Sequence, residues 1–100
     1  MKLTGKCKED FEKWYIKDLV EKELALEEFY NSSDSMQYGV LVDFFDSVGM
    51  EICIDMWESD DGTQAYTVNI RWEEVSDYND TRQEARTKAI EKANEIYNAK

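Results

Sequence analysis

The sequence contains no histidine and no proline, and only two cysteines and four glycines among its 100 residues. Without histidine, Ser-His and Cys-His nucleophilic arrangements and histidine metal sites are excluded. No glycine-rich phosphate-binding loop is present, and the lack of proline argues against a proline-rich linker. Cys7 and Cys53 are too few for a disulfide scaffold and have the wrong spacing for a zinc or redox motif.

Long apolar runs are also absent. The first fifteen residues meet a charge every second or third position, so we expect no signal peptide. The most apolar window, residues 38–54, is interrupted by acids and falls short of the about 18 uninterrupted apolar residues of a spanning helix. These features predict a cytoplasmic protein that does not cross a membrane.

The residues that are present suffice for one hydrophobic core. Hydrophobic residues make up 42% of the chain and aromatics 13%, which is enough apolar surface to offset the entropy of ordering despite 35% charged residues. No repeat or internal linker is visible. We therefore predict a single compact acidic domain over residues 1–100.

The formal net charge of −11 is concentrated in the middle of the chain. Residues 18–80 hold seventeen acids against Lys22 and Arg71, whereas residues 1–17 and 81–100 are each slightly basic. Nucleic acids and anionic lipids both need cationic surface, so direct binding to either is disfavoured. The acidic centre has two interpretations: it imitates the phosphate charge of a duplex, or it keeps the protein soluble.

Apolar spacing of three and four residues predicts helices at both ends of the chain and in its first half. The first is predicted from about Gly5 to Lys22, with a break near Glu23. Residues 23–30 either continue it or form a separate turn. The stripe residues are Cys7, Phe11, Trp14, Tyr15 and Leu19.

The second predicted helix lies within residues 31–49. Ser33 or Asp34 is placed to cap it, and Gly49 lies where a left-handed C-terminal residue is expected. Phe44 and Phe45 belong to its apolar side, where plain packing is a far more ordinary role than ligand binding. The last helix opens with a Thr81–Glu84 capping box and runs to about Asn98.

Alternating apolar and polar residues between 51 and 72 predict a β-hairpin. The loop Asp60-Asp61-Gly62 suits a type I turn completed by a left-handed glycine. One register then pairs Ile52 with Ile70 and Trp57 with Ala65. Its apolar face is predicted to hold Ile52, Ile54, Met56, Tyr66, Val68, Ile70 and Trp72.

The predicted fold is α+β, in the order helix, helix, β-hairpin, helix. A two-stranded antiparallel ribbon is marginal alone, so the sheet is either extended by further pairing or stabilised by helices packed on one face. Trp57 falls on the opposite face. Either it is exposed there as a binding residue, or residues 23–30 or the N-terminus cover it.

Three stretches resemble small uncharacterised proteins of tailed bacteriophages and prophages. They are KLTGKCKEDFEKWY, SMQYGVLVDFFDSVG and TRQEARTKAIEKANEIYN, which together cover both ends and the second helix. The resemblance implies a shared fold and a phage-encoded accessory protein acting in the host cytoplasm. It supplies no functional residues.

The carboxylates near the hairpin tip are candidate metal ligands. An EF-hand loop places Gly at its sixth position, and counting back from Gly62 puts Trp57 first, so the motif fails. Weak calcium binding at the tip is the alternative to a solvated turn. Acid-base catalysis needs two shielded carboxylates with separated pKa values. We therefore predict no catalytic site, no metal site and no cofactor.

The leading functional hypothesis is a binding protein whose acidic hairpin engages a basic site on a host defence or nucleic-acid-handling protein, as an inhibitor or nucleic-acid mimic. Tryptophan dominates binding hot spots, and surrounding charges steer association. The predicted partner-binding residues are Trp57, Asp55, Glu58, Asp60, Asp61 and Arg71. The alternative is a structural or assembly protein that forms a homo-oligomer through the sheet, and the chain is either a monomer or a homodimer.

Overall fold

A computed structural model describes residues 1–75 and 78–100 of the chain. Three helices precede a three-stranded antiparallel sheet in the order β1-β2-β3, and a C-terminal helix packs against that sheet, which confirms the predicted α+β class. The elements are α1 (Gly5–Ile16), α2 (Lys22–Tyr30), α3 (Asp34–Ser47), β1 (Ile52–Glu58), β2 (Gln64–Ile70), β3 (Glu73–Glu74) and α4 (Arg82–Asn98).

The predicted first helix is too long by six residues, because the chain turns after Ile16 and α2 is a separate helix. Leu19, predicted to belong to the apolar stripe, is 42% exposed in the connecting turn. The reversal brings Phe29 of α2 back onto Phe11 of α1, with ring centroids 5.0 Å apart. The apolar spacing in a sequence describes a single helix. It does not show where a second helix folds back and packs against the first.

An aromatic cluster forms the helical part of the core. Phe11 and Phe44 are fully buried and meet edge to face at 5.5 Å, and Tyr97 of α4 lies 5.9 Å from Phe44. Aromatic pairs of this kind contribute about 0.5–1.5 kcal/mol each beyond area burial. The cluster fixes α1, α3 and α4 to one another.

The predicted ends of α3 are confirmed. Ser33 is the N-cap, and its hydroxyl accepts a hydrogen bond from the Met36 amide at 3.2 Å. Gly49 takes φ of +79°, a conformation that L side chains rarely adopt. This turn leads the chain from α3 directly into β1 and places the end of α3 beside the start of the sheet.

The predicted hairpin register is confirmed at every pair from Ile52–Ile70 to Glu58–Gln64. The Gly62 amide donates to the Ser59 carbonyl at 2.9 Å, and Gly62 has φ of +84°, as the predicted turn requires. Val68 and Ile70 are buried on the helix-covered face. Met56, predicted on the same face, is 51% exposed because α4 covers β2 more fully than the far end of β1.

The prediction that Trp72 belongs to the apolar face is wrong. Arg71 and Trp72 both have positive φ, at 56° and 73°, and Ile70 pairs with Glu73. The chain therefore reverses in a two-residue type I′ turn and adds the short strand β3, which extends the predicted ribbon. Trp72 is left 90% exposed.

The C-terminal part of helix α4 is hydrogen-bonded to the N-terminal segment through two asparagine side chains. Thr81 caps the start of α4 as predicted, because its hydroxyl accepts from the Glu84 amide at 3.1 Å. The Glu84 carboxylate accepts from the Asp80 amide at 3.2 Å rather than from the Thr81 amide that a capping box uses. Near its other end, Asn94 accepts from the Thr4 amide at 3.0 Å and Asn98 from the Cys7 amide at 2.8 Å. Alanines 85, 89 and 93 are fully buried, and their small side chains allow α4 to approach the sheet closely.

None of the helices in the described part of the chain is long and apolar enough to cross a membrane.

Candidate protein-binding surface

The sheet presents two different faces. The register places alternate residues of β1 on the side away from α4, and Trp57 lies among them. Trp57 is 53% exposed, so neither residues 23–30 nor the N-terminus covers it. Its indole N–H donates to the Thr67 hydroxyl at 2.9 Å, which holds the ring across the neighbouring strand. The structure therefore selects the exposed alternative for Trp57.

Asp55 lies two residues before Trp57 on β1 and points to the same outer face. One of its carboxylate oxygens accepts from the Asn69 side-chain amide at 2.5 Å, and the other accepts from the Cys53 thiol at 3.7 Å. Burial and the nearby Asp55 charge raise the pKa of the Cys53 thiol. A raised pKa keeps the thiol neutral, and a neutral thiol is a poor nucleophile and metal ligand.

Asp61 organises the hairpin tip through hydrogen bonds. The Asp61 carboxylate accepts hydrogen bonds from the Ser59 hydroxyl and from the Thr63 amide, the latter at 2.9 Å. These donors lower its pKa from 3.8 to about 2. Glu58 and Asp60 flank it and are exposed. Among the described residues, no group of three or more Cys, Asp or Glu side chains is placed to hold a metal ion.

A groove of about 530 Å³ lies between the end of α3 and the outer face of the sheet. It joins Asp55, which was predicted from the sequence, to Asp46, Glu51 and Trp72, which were not. The lining residues are Asp46, Glu51, Ile52, Cys53, Asp55, Asn69 and Trp72. Only the tight turn at Gly49 brings Asp46 to β1, and no turn-forming residue in the sequence signals the reversal that exposes Trp72.

We use the name acidic hairpin surface for the outer face of β1, the hairpin tip and this groove. Its members are Asp46, Glu51, Asp55, Trp57, Glu58, Asp60, Asp61 and Trp72. The structure thus brings together five of the six predicted site residues. The sixth, Arg71, lies in the turn that follows β2, next to Trp72, and its amide donates to the Glu51 carbonyl at 2.9 Å. It does not line the groove.

The carboxylates of this surface have no cationic partner among the residues that the structure describes. The ion pairs there join the N-terminal amine to Asp34, Lys6 to Asp10, Lys88 to Glu91, and Lys92 to Glu95. All of them lie on the helices or at the N-terminus. The negative field of the acidic hairpin surface is consequently not neutralised within the described chain.

The turn that presents Trp72 has an unusual sequence for its geometry. Type I′ turns favour Asn-Gly or Gly-Gly, because both central residues need positive φ. Arginine and tryptophan pay about 1–2 kcal/mol each for this conformation. Trp72 recovers little of that cost through burial, since it is 90% exposed. Strain of this kind concentrates at functional sites.

No protein-family model matches the chain, and no match was found among curated proteins or solved structures.

Proposed function

We propose that this protein is a small acidic binding protein, encoded by a phage or prophage, that engages a basic site on a host protein through the acidic hairpin surface. The host protein belongs to a class that presents cationic surface, such as defence or nucleic-acid-handling proteins. Binding blocks that site in the host cytoplasm. The observation that supports this best is the pair of exposed tryptophans, Trp57 and Trp72, beside carboxylates without cationic partners in the described chain.

Each feature has a separate role in this proposal. Tryptophans exposed at an interface provide a large apolar area and attract cations over their rings. The carboxylates of Asp55, Glu58 and Asp60 steer a cationic partner during encounter and disfavour anionic competitors. The same charges argue against nucleic acid or anionic membrane as the ligand, because neither supplies the cations that would neutralise them.

Capture from host lysate tests the proposal with a matched pair of variants. The hairpin variant combines Trp57→Ala with Glu58→Lys and Asp60→Lys, and it leaves the Asp61 turn intact. The control combines Leu24→Ala with Glu27→Lys and Glu28→Lys on α2, at exposed positions. Both variants lose one large apolar side chain and change the net charge equally.

The proposal predicts a basic protein that wild type and control both recover and the hairpin variant does not. Equal recovery of every protein by all three would contradict it. Because light scattering at tens of micromolar separates monomer from oligomer, it also tests the alternative of homo-oligomer assembly. The exposed edge of β1 favours that alternative, whereas the net charge of −11 opposes it.

A further inference from the structure

The backbone of β1 has one side hydrogen-bonded and one side open. The Ser59 amide donates to the Thr63 carbonyl and the Arg71 amide to the Glu51 carbonyl, both at 2.9 Å. In an antiparallel ladder, residues alternate between facing the partner strand and facing away from it. Residues 51, 53, 55, 57 and 59 therefore face β2. The amides and carbonyls of Ile52, Ile54, Met56 and Glu58 face the other way, and we call these four the β1 edge.

Nothing in the described chain occupies the β1 edge. β1 is the first strand in the sheet order, and no hydrogen bond among the described residues uses the backbone of these four. The opposite edge of the sheet is treated differently. There β3 pairs with β2, and Tyr66 and Asn79 exchange backbone hydrogen bonds at 2.9 and 2.8 Å.

The β1 edge has little protection against a basic strand. Natural edge strands are short, bulged, or carry proline or charged side chains, most often lysine, and the charges in β1 are the acidic Asp55 and Glu58. β1 has seven residues in unbroken register, with neither lysine nor proline. It is therefore a ready template for another strand.

The side chains beside the β1 edge determine what kind of strand fits. On the outer face, an added strand would place its side chains next to Glu51 and Asp55, within reach of Asp46 across the groove. On the helix-covered face, it would lie beside Ile54 and the 51% exposed Met56. A strand that alternates cationic and apolar residues matches both faces.

A second copy of this chain fits poorly at the same place. Pairing β1 with β1 of another molecule would bring two strands that each carry Glu51, Asp55 and Glu58 side by side, with Asp55 facing Asp55 in an antiparallel pair centred on it. Like charges directly across a strand pair are destabilising, and each molecule has a net charge of −11. Charge complementarity therefore selects a basic partner over self-association.

We propose that the β1 edge binds an extended segment of the partner protein, with alternating Lys or Arg and apolar residues, as an added strand of the sheet. This deepens the proposed function, on which it depends, by naming the mode of recognition. Backbone hydrogen bonds supply the affinity in strand addition, and alternate side chains supply the specificity. Glu51 and Asp55 pair with the cationic residues, while Ile54 and Met56 pack against the apolar ones.

Two N-methylated peptides test the hydrogen-bonding pattern directly. The parent probe is an acetylated and amidated seven-residue peptide of alternating lysine and valine. One derivative carries N-methyl groups on the valines and the other on the lysines, so each blocks the amides on one side of the strand. One derivative should lose at least about tenfold in affinity, and the other should bind within about threefold of the parent. Equal losses, or no binding by the parent, would overturn the proposal.

A proline substitution in β1 tests the same hydrogen bonds by changing the protein instead of the peptide. Met56→Pro removes an edge-facing amide that is not used within the sheet, and Met56→Ala removes the side chain but keeps that amide. The proline variant should bind the lysine–valine peptide at least about tenfold more weakly than the alanine variant. If both variants bind alike, the proposal is wrong. Amide exchange at Asp55 and Trp57 shows whether the sheet of the proline variant is intact, so weaker binding caused by unfolding is recognised as such.

The two proposals fail in different ways. If the host protein is lost by the hairpin variant but retained by Met56→Pro, the acidic hairpin surface binds without strand addition. In that case the proposed function stands and the β1 edge proposal is wrong. If wild type recovers no protein that the hairpin variant loses, the proposed function itself is wrong. A discrete homodimer that protects the β1 edge amides would show that a second copy, rather than a basic segment, occupies it.

Discussion

At the scale of single residues, the turn at Arg71 and Trp72 is the clearest conflict between local preference and structure. Both residues adopt positive φ where a type I′ turn prefers Asn-Gly. Neither the alternation of β2 nor its composition announces this reversal, and the sequence therefore predicted Trp72 in the apolar face. A residue-level conflict of this kind is expected at a functional site.

Replacing Arg71 and Trp72 together by Asn and Gly should relieve the strain. Allowing for the greater entropy of glycine in the unfolded chain, we expect the free energy of unfolding to rise by about 1 kcal/mol. This corresponds to about 4–8 °C in Tm for a domain of this size. Thermal unfolding measures the gain, with Arg71→Asn as the control that keeps Trp72. An unchanged or lower Tm would show that the turn is not strained.

Asp61 provides a prediction about pH. Its hydrogen bonds lower its pKa to about 2 in the folded protein, below the ordinary value of 3.8. The deprotonated form therefore stabilises the turn above pH 3.8, and this contribution is lost as the pH falls from 3.8 to about 2. Ser59→Ala removes one donor and should move the pKa of Asp61 back toward 3.8. Carboxyl NMR titration measures both values, and a wild-type midpoint near 3.8 would refute the assignment.

At the scale of elements, prediction succeeded where the pattern is local and failed where tertiary contacts decide. The hairpin register followed from the Asp60-Asp61-Gly62 loop and the alternation on either side of it, and α3 and α4 followed from their caps and spacing. The end of α1 could not be predicted from such local patterns. The return of α2 onto Phe11 is set by packing between helices, which no sequence period describes.

The residues of the candidate site also fall into a group that the sequence predicts and a group that depends on tertiary structure. Trp57, Asp55 and the tip residues were predictable because a hairpin places alternate residues on one face. Asp46 and Trp72 were not, since the first reaches the surface through the orientation of α3 and the second through the turn before β3. Arg71, predicted as a partner-binding residue, also occupies that turn.

The open side of β1 has a measurable consequence in the free protein. Amides that face β2, at Cys53, Asp55 and Trp57, should be protected from hydrogen exchange by their ladder bonds. The amides of Ile52, Ile54, Met56 and Glu58 face solvent and should exchange faster by at least about tenfold. Residue-resolved exchange by NMR measures this alternation. Uniform protection along β1 would mean that something covers the edge.

At the scale of the whole molecule, the distribution of charge dominates. The described ion pairs lie on the helices and at the N-terminus, whereas the acidic hairpin surface has none within the described chain. Self-repulsion should therefore lower stability at low ionic strength, and salt should screen it. We expect Tm to rise by about a few degrees between roughly 10 and 300 mM NaCl. A fall in Tm would show that ion pairing outweighs repulsion.

The central claim is that unneutralised carboxylates around exposed tryptophans bind a basic site on another protein. Its most direct test is the affinity of the captured host protein for wild type, the α2 control and the hairpin variant, each measured across a salt series. The account predicts that affinity falls with salt for wild type and control, and that the hairpin variant binds more weakly with a shallower salt dependence. Salt-independent binding, or the same affinity and slope for all three proteins, would contradict it.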